Sequence, residues 1–324
     1  MDQPDVEPDV VSFAALWRRA ARRLKAKDSK LLDLDDDALR VVHGGLSDPL
    51  NPRVAAAFRR LCRGLREPTR ALLKQLRDEH DAAAALCLKL GMPSCRALRE
   101  ELGLCIKVSL SAADLALLGT LGRSLPVLVS LALGSDAAGV AGPDGVLRLV
   151  AGLGAGALPD LTSFQLSKIL MGNTGASALA AALGRGALPR LKILALDTLN
   201  ISDAGLVALA PALRRLPALD ELYLTGNPIG DEGLAALVPQ LPTGDLLPPT
   251  GKLAKLEVLE LPNTQLSDAG CAALAAAIKS GALPLLKDLE LGGIPASAAA
   301  IGAVHTALRD LGTDSQRLLE RMLI

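Results

Sequence analysis

From residue 125 onward, short bursts in which every second residue is apolar alternate with stretches in which apolar residues recur every four positions. The burst L-P-x-L-x-x-L-x-L appears as LPVLVSLAL from Leu125, LPDLTSFQL from Leu158 and LPRLKILAL from Leu188. It continues as LPALDELYL from Leu216, LAKLEVLEL from Leu253 and LPLLKDLEL from Leu283. The steps between these starts are 33, 30, 28, 37 and 30 residues. The alternation predicts a short strand with one apolar face. Further along each of four units comes a glycine (Gly175, Gly205, Gly233, Gly270), and four residues later a leucine (Leu179, Leu209, Leu237, Leu274). Four more residues lead to Leu183, Leu213, Leu241 and Ile278, which predicts a helix with one apolar stripe. Ser202-Asp203, Gly230-Asp231 and Ser267-Asp268 suit helix starts, a capping residue followed by an acid in the positive first turn. Each unit is strand, loop, helix. None can bury its own apolar faces, so six or more must stack into a continuous core.

The segment LPALDELYLTGNPIGDEGLAALVPQL at 216–241 resembles a leucine-rich repeat of the ribonuclease-inhibitor type. The resemblance implies an α/β solenoid over residues 106–312, about 6–7 repeats, with parallel strands on the concave face and helices on the convex face. The family's loop asparagine appears only as Asn227. Its equivalents are Asp136, Ile169, Leu199, Thr264 and Ile294, so a regular asparagine ladder is absent. The long 37-residue step contains LPTGDLLPPTGK (241–252), which predicts a protruding loop. Residues 105–110 suggest a shortened first repeat. Residues 296–311 and 315–324 look helical, and the block 313–324 is assigned as the capping helix that closes the solenoid.

Residues 1–105 lack the repeat. VSFAALWRRAARRLKAK (11–27), within an acidic tail and basic helix at 1–30, places Phe13, Trp17, Ala20 and Leu24 on one face. It fits a docked helix with a solvated basic face, a helix for a membrane surface or acidic partner, or a nuclear-import signal. Residues 31–105 form a helical N-terminal domain. Within it, LLDLDDDALRVVHGGLSDPLNPRVAAAFRRLCRGLREP (31–68) weakly resembles an F-box, a module that docks on a ubiquitin-ligase adaptor. That resemblance implies an adaptor surface made by Leu34, Leu39, Leu46 and Leu50. The opening Leu-Pro of that family is Leu34-Asp35 here, and its tryptophan after the basic tract is missing. The other reading of 31–105 is a cap on the solenoid's N-terminal end.

Composition narrows the function. Aromatics make up 2% of the 324 residues, and 35 basic side chains balance 35 acidic ones. Single-strand nucleic-acid readers stack bases on aromatics and carry a basic footprint, so no nucleic-acid partner is expected. The charge is split: 19 basic against 16 acidic residues in 1–105, and the reverse in 106–324. Five cysteines show no C-x-x-C spacing and no metal-ligand interval to the three histidines, which predicts no metal and no other cofactor. The acidic N-terminus lacks an apolar run and no 18-residue apolar window occurs, so neither a secretory leader nor a membrane span is expected. An intracellular protein, cytoplasmic or nuclear, follows from these together with the unpaired cysteines.

No catalytic constellation emerges, and the chain is not expected to be an enzyme. TGKL at 250–253 lacks the spacing of a phosphate loop. GLGAGA at 152–157 follows a helix, whereas a dinucleotide loop must follow a strand; its counterparts Gly184, Gly186 and Gly281 mark helix ends. Attention therefore moves to the concave face. Between the inward leucines, one row of positions reads Ser130, Ser163, Ile193, Glu221, Val258, Asp288. The next reads Ala132, Gln165, Ala195, Tyr223, Glu260, Glu290, and a third Gly134, Ser167, Asp197, Thr225, Pro262, Gly292. Asp197, Glu221, Tyr223, Thr225, Glu260, Asp288 and Glu290 form an acidic strip around the only tyrosine, suited to a basic protein partner. Keeping concave strands polar for solubility would produce a similar pattern. Two further classes stay open: a regulator of an enzyme, as relatives with this repeat include GTPase activators and enzyme inhibitors, and a constitutive structural subunit.

Overall fold

The computed structural model describes residues 47–60, 70–134, 142–238 and 253–322. The helix expected at 11–27, most of the F-box-like segment and the loop at 241–252 lie outside them. The chain divides into two compact units, Met1–Ala83 and Ala84–Ile324.

In the first unit, Asp48 turns the chain by accepting the Leu50 N–H on its side chain and the Asn51 N–H on its carbonyl. The helices α1 (Arg53–Arg60) and α2 (Arg70–Lys89) follow, the second running on into the next unit. Ala55, Leu73 and Leu76 form a small core. His80 Nδ1 lies 2.6 Å from the Pro49 carbonyl, which can only accept, so this nitrogen carries the proton.

The second unit is an α/β leucine-rich repeat solenoid. After α3 (Cys95–Arg99), strands alternate with helices: β1 (Gly103–Ile106), α4 (Ala112–Thr120), β2 (Ser130–Leu133), α5 (Gly142–Gly152), β3 (Ser163–Ser167) and α6 (Gly172–Gly184). Then come β4 (Ile193–Asp197), α7 (Asp203–Leu213), β5 (Glu221–Tyr223), α8 (Asp231–Leu237), β6 (Val258–Glu260), α9 (Asp268–Lys279), β7 (Asp288–Glu290) and α10 (Ala298–Met322). The seven strands form one parallel sheet in chain order. Their register lines up Leu104, Leu131, Phe164, Leu194, Leu222, Leu259 and Leu289 in one buried row. Burial of a leucine side chain is worth roughly 1.5–3 kcal/mol, and this row repeats the gain in every layer.

Two differences from the sequence-based boundaries follow from packing. The first strand starts at Gly103, because Leu104 and Ile106 extend the buried rows that begin in β2, and the compact unit already includes residues from Ala84. At the other end α10 is continuous, so no break separates the last repeat from the expected capping helix at 313–324.

The repeats are also joined by polar bonds between successive helix starts. Asn173 Oδ1 accepts the Ser202 N–H, and Asp203 Oδ1 accepts those of Gly230 and Gly233. Asp231 accepts from the Ser267 N–H and hydroxyl, and Asp268 does the same for Ser297. The acid in each first turn thus caps the next helix as well as lying in its own positive end. This arrangement explains the recurring glycine: a Cβ at Gly233 would sit 2.6 Å from Asp203 Oδ1, and one at Gly270 only 2.1 Å from Asp231 Oδ1. At the opposite helix ends, Arg185 donates to the Leu153 carbonyl and Arg214 to that of Ala236, placing cations on orphan carbonyls.

The concave face as a candidate binding surface

The strand register assembles the predicted strip as the repeat spacing implied. Ile193, Glu221, Val258 and Asp288 are in-register neighbours, and so are Ala195, Tyr223, Glu260 and Glu290. Asp197 closes β4, with Thr225 just beyond β5: the Thr225 N–H donates to Asp197 Oδ1 at 3.1 Å. Asp197, Glu221, Tyr223, Thr225 and Glu260 are half-buried, whereas Asp288 and Glu290 are exposed.

The tyrosine is fixed in place. Its hydroxyl donates to Glu221 Oε2 at 2.7 Å across the i, i+2 spacing that keeps both side chains on one face. That bond, helped by burial and by the charges of Glu221, Glu260 and Asp197, pushes the phenol up to about 12. Tyr223 therefore stays neutral at physiological pH and acts as a donor with an apolar body.

The carboxylates repel one another. Glu260 is held above the ordinary glutamate value, first by burial and then by Asp197, Glu290 and Glu221. Asp197 is raised too, because its burial outweighs the stabilising hydrogen bonds from Thr225. Glu290 Oε1 accepts the Gly292 N–H at 3.1 Å. Among the described residues no lysine or arginine pairs with any of these acids; the cations that do pair include Lys89 with Asp114, Arg190 with Asp160 and Lys287 with Glu257. The strip carries concentrated, uncompensated negative charge on a stiff sheet.

Toward β1 the same face is small and neutral, with Gly103 and Cys105 continuing the two rows. The strand reading that starts at residue 105 misses Gly103; the signal for it is the spacing of Leu104 and Ile106. Of the residues expected to hold a ubiquitin-ligase adaptor, Leu34, Leu39 and Leu46 lie outside the described residues. Leu50 is buried, at 4% exposure. Among the described residues no group of three or more His, Cys, Asp or Glu could hold a metal ion, and no helix is long and apolar enough to cross a membrane.

One comparison by sequence agrees with the repeat. A family model described as "Leucine Rich repeat" matches residues 217–238, the unit that contains Tyr223 and Asn227. Among solved structures, the chain is similar to one titled "Leiomodin-1 Actin-Binding Site 2 (ABS2)", at 19% identity and a TM-score of 0.39, covering 56% of this chain and 96% of that one. No curated protein matches.

Proposed function

We propose that this chain is a non-enzymatic protein-interaction scaffold that captures a basic partner on the C-terminal half of its concave face. The observation that carries this reading is the set of half-buried acids around Tyr223 that have no cation of their own. Like charges directly opposite on neighbouring strands are destabilising, so these acids cost the isolated fold stability. A cationic partner would supply the missing counter-charge, and Tyr223 would supply an amphipathic anchor of the type that dominates binding hot spots.

The test is capture from native lysate by the whole chain, compared with the Tyr223→Ala/Glu260→Lys double variant. Loss of a salt-sensitive partner with no fall in melting temperature is the expected result. Equal capture by both proteins would remove the strip as the binding site. Probing the same eluate for a ubiquitin-ligase adaptor tests the substrate-receptor role implied by the resemblance at 31–68.

A further inference from the structure

The cysteines show no paired motif in sequence, yet the fold brings two of them together. Helix α2 ends with Gly91 at φ +72°, and the Met92 N–H folds back onto the Cys87 carbonyl at 2.8 Å. This left-handed end reverses the chain within a few residues. Ser94 then caps α3, its hydroxyl oxygen accepting the Ala97 N–H, and Cys95 occupies the first helical position. The result is a buried contact with the Cys87 and Cys95 sulfurs 3.8 Å apart. Cys87 is 1% exposed and Cys95 7%. The same helix end is fastened to the first repeat by the Lys89–Asp114 ion pair at 2.7 Å.

We propose that Cys87 and Cys95 are a dithiol clasp, closed to a disulfide by small disulfide oxidants such as oxidised glutathione, that locks the N-terminal end of the solenoid. The balance has two exchanges. Cys95, the more exposed of the two residues, attacks oxidised glutathione, forming a mixed disulfide and releasing one glutathione thiolate. Cys87 then loses its proton and attacks the Cys95 sulfur, which expels the second glutathione. Two protein thiols are oxidised by two electrons, the glutathione disulfide is reduced to two thiols, and the two protons pass to the departing thiolates. Closing from 3.8 Å to the ~2.05 Å of an S–S bond needs side-chain rotation and a small shift of the turn.

Burial pushes the Cys87 thiol up to about 12, with the neighbouring Cys95 adding to the shift, so the thiolate is scarce. That slows the second exchange, because the thiolate is the attacking species. It does not redirect the exchange. Once Cys95 carries glutathione, Cys87 is the only described thiol adjacent to it: Cys271 is buried in α9, and Cys105 lies exposed on β1. The location gives the bond an effect. Terminal layers are where a solenoid opens first, and the bond ties the end of α2 to α3, next to the edge strand β1.

The test uses the full chain, folded, incubated with excess oxidised glutathione, alkylated, digested with trypsin and mapped without reduction. Cleavage at Arg77, Lys89 and Arg96 puts the two cysteines on separate peptides, 78–89 and 90–96. The expected product is that pair joined, lighter by two hydrogens, while Cys105 carries glutathione and Cys271 stays free. Amide exchange across α3 and β1 should slow in the oxidised protein. Persistence of both thiols, or of Cys95 as a stable glutathione adduct, overturns the proposal. In Cys87→Ser the reaction should stop at the Cys95 adduct, and if that variant fails to fold, the wild-type map alone decides.

Discussion

Glu260→Gln should make the protein more stable, an unusual outcome for removing a half-buried charge. Glu260 stands beside Glu290 in the sheet, with Asp197 and Glu221 adding to its repulsion, and its side chain makes no hydrogen bond or ion pair among the described residues. In-register neighbours lie about 5 Å apart. Two unit charges at that distance repel by about 0.8 kcal/mol in water and about 3 kcal/mol at an effective dielectric of 20. Partial exposure favours the lower figure and physiological salt roughly halves it, to about 0.4 kcal/mol from Glu290 alone and about 0.5–1 kcal/mol once Asp197 and Glu221 are added. For a solenoid of this size that is a rise in melting temperature of about 1–4 °C. The sign follows from linkage. A carboxyl whose folded pKa is raised costs stability above that pKa, and the cost is gone below its ordinary value of 4.5. Thermal melts of wild type and variant should therefore differ most at neutral pH and low salt. The gap should close as pH falls through the raised pKa, and also as salt reaches molar levels. An unchanged or lower melting temperature at neutral pH would refute the reasoning, and a gain that survives molar salt undiminished would assign it to burial of the charge and refute the repulsion.

The remaining predictions concern the joints between repeats. Gly233→Ala should destabilise by about 3 kcal/mol in a denaturant titration, because its Cβ would displace Asp203 from the two N–H groups it caps. Gly302→Ala is the control: it sits within α10 with nothing within 4 Å of the new carbon, so a gain of about 0.5–1 kcal/mol is expected. Asn227→Leu should cost about 3–5 kcal/mol, although leucine stands at the equivalent position in the preceding repeat. The Asn227 amide is fully buried, accepts the Leu199 and Ile201 N–H groups and donates to the Leu196 and Leu224 carbonyls. A loss below 1 kcal/mol would show that those backbone groups find other partners.

The rows of the sheet were legible in the sequence because a period of two allows only one face per residue. Placing Leu222 inward forces Glu221 and Tyr223 outward, and repetition multiplies the constraint from strand to strand. The glycines and first-turn acids were visible as separate regularities, but their connection was not. Asp203 and Gly233 are 30 residues apart and meet only after the solenoid has stacked. The Cys87–Cys95 pair was hidden for a different reason: their eight-residue separation fits no motif, and the left-handed helix end that folds one over the other is set by Gly91. The same contrast applies to the strip itself. Its membership follows from alternation, but its lack of a paired cation is a property of the packed surface, where several lysines and arginines are engaged elsewhere. Arg190 and Lys287 pair with Asp160 and Glu257 across neighbouring repeats, and Arg185 and Arg214 cover helix-end carbonyls. With these cations committed to holding the repeats together, no ion pair relieves Asp197, Glu221 and Glu260, and the proposed basic partner would supply the missing charge. The Glu260→Gln gain and the loss of a basic partner should therefore appear in the same residue, stability rising where binding falls.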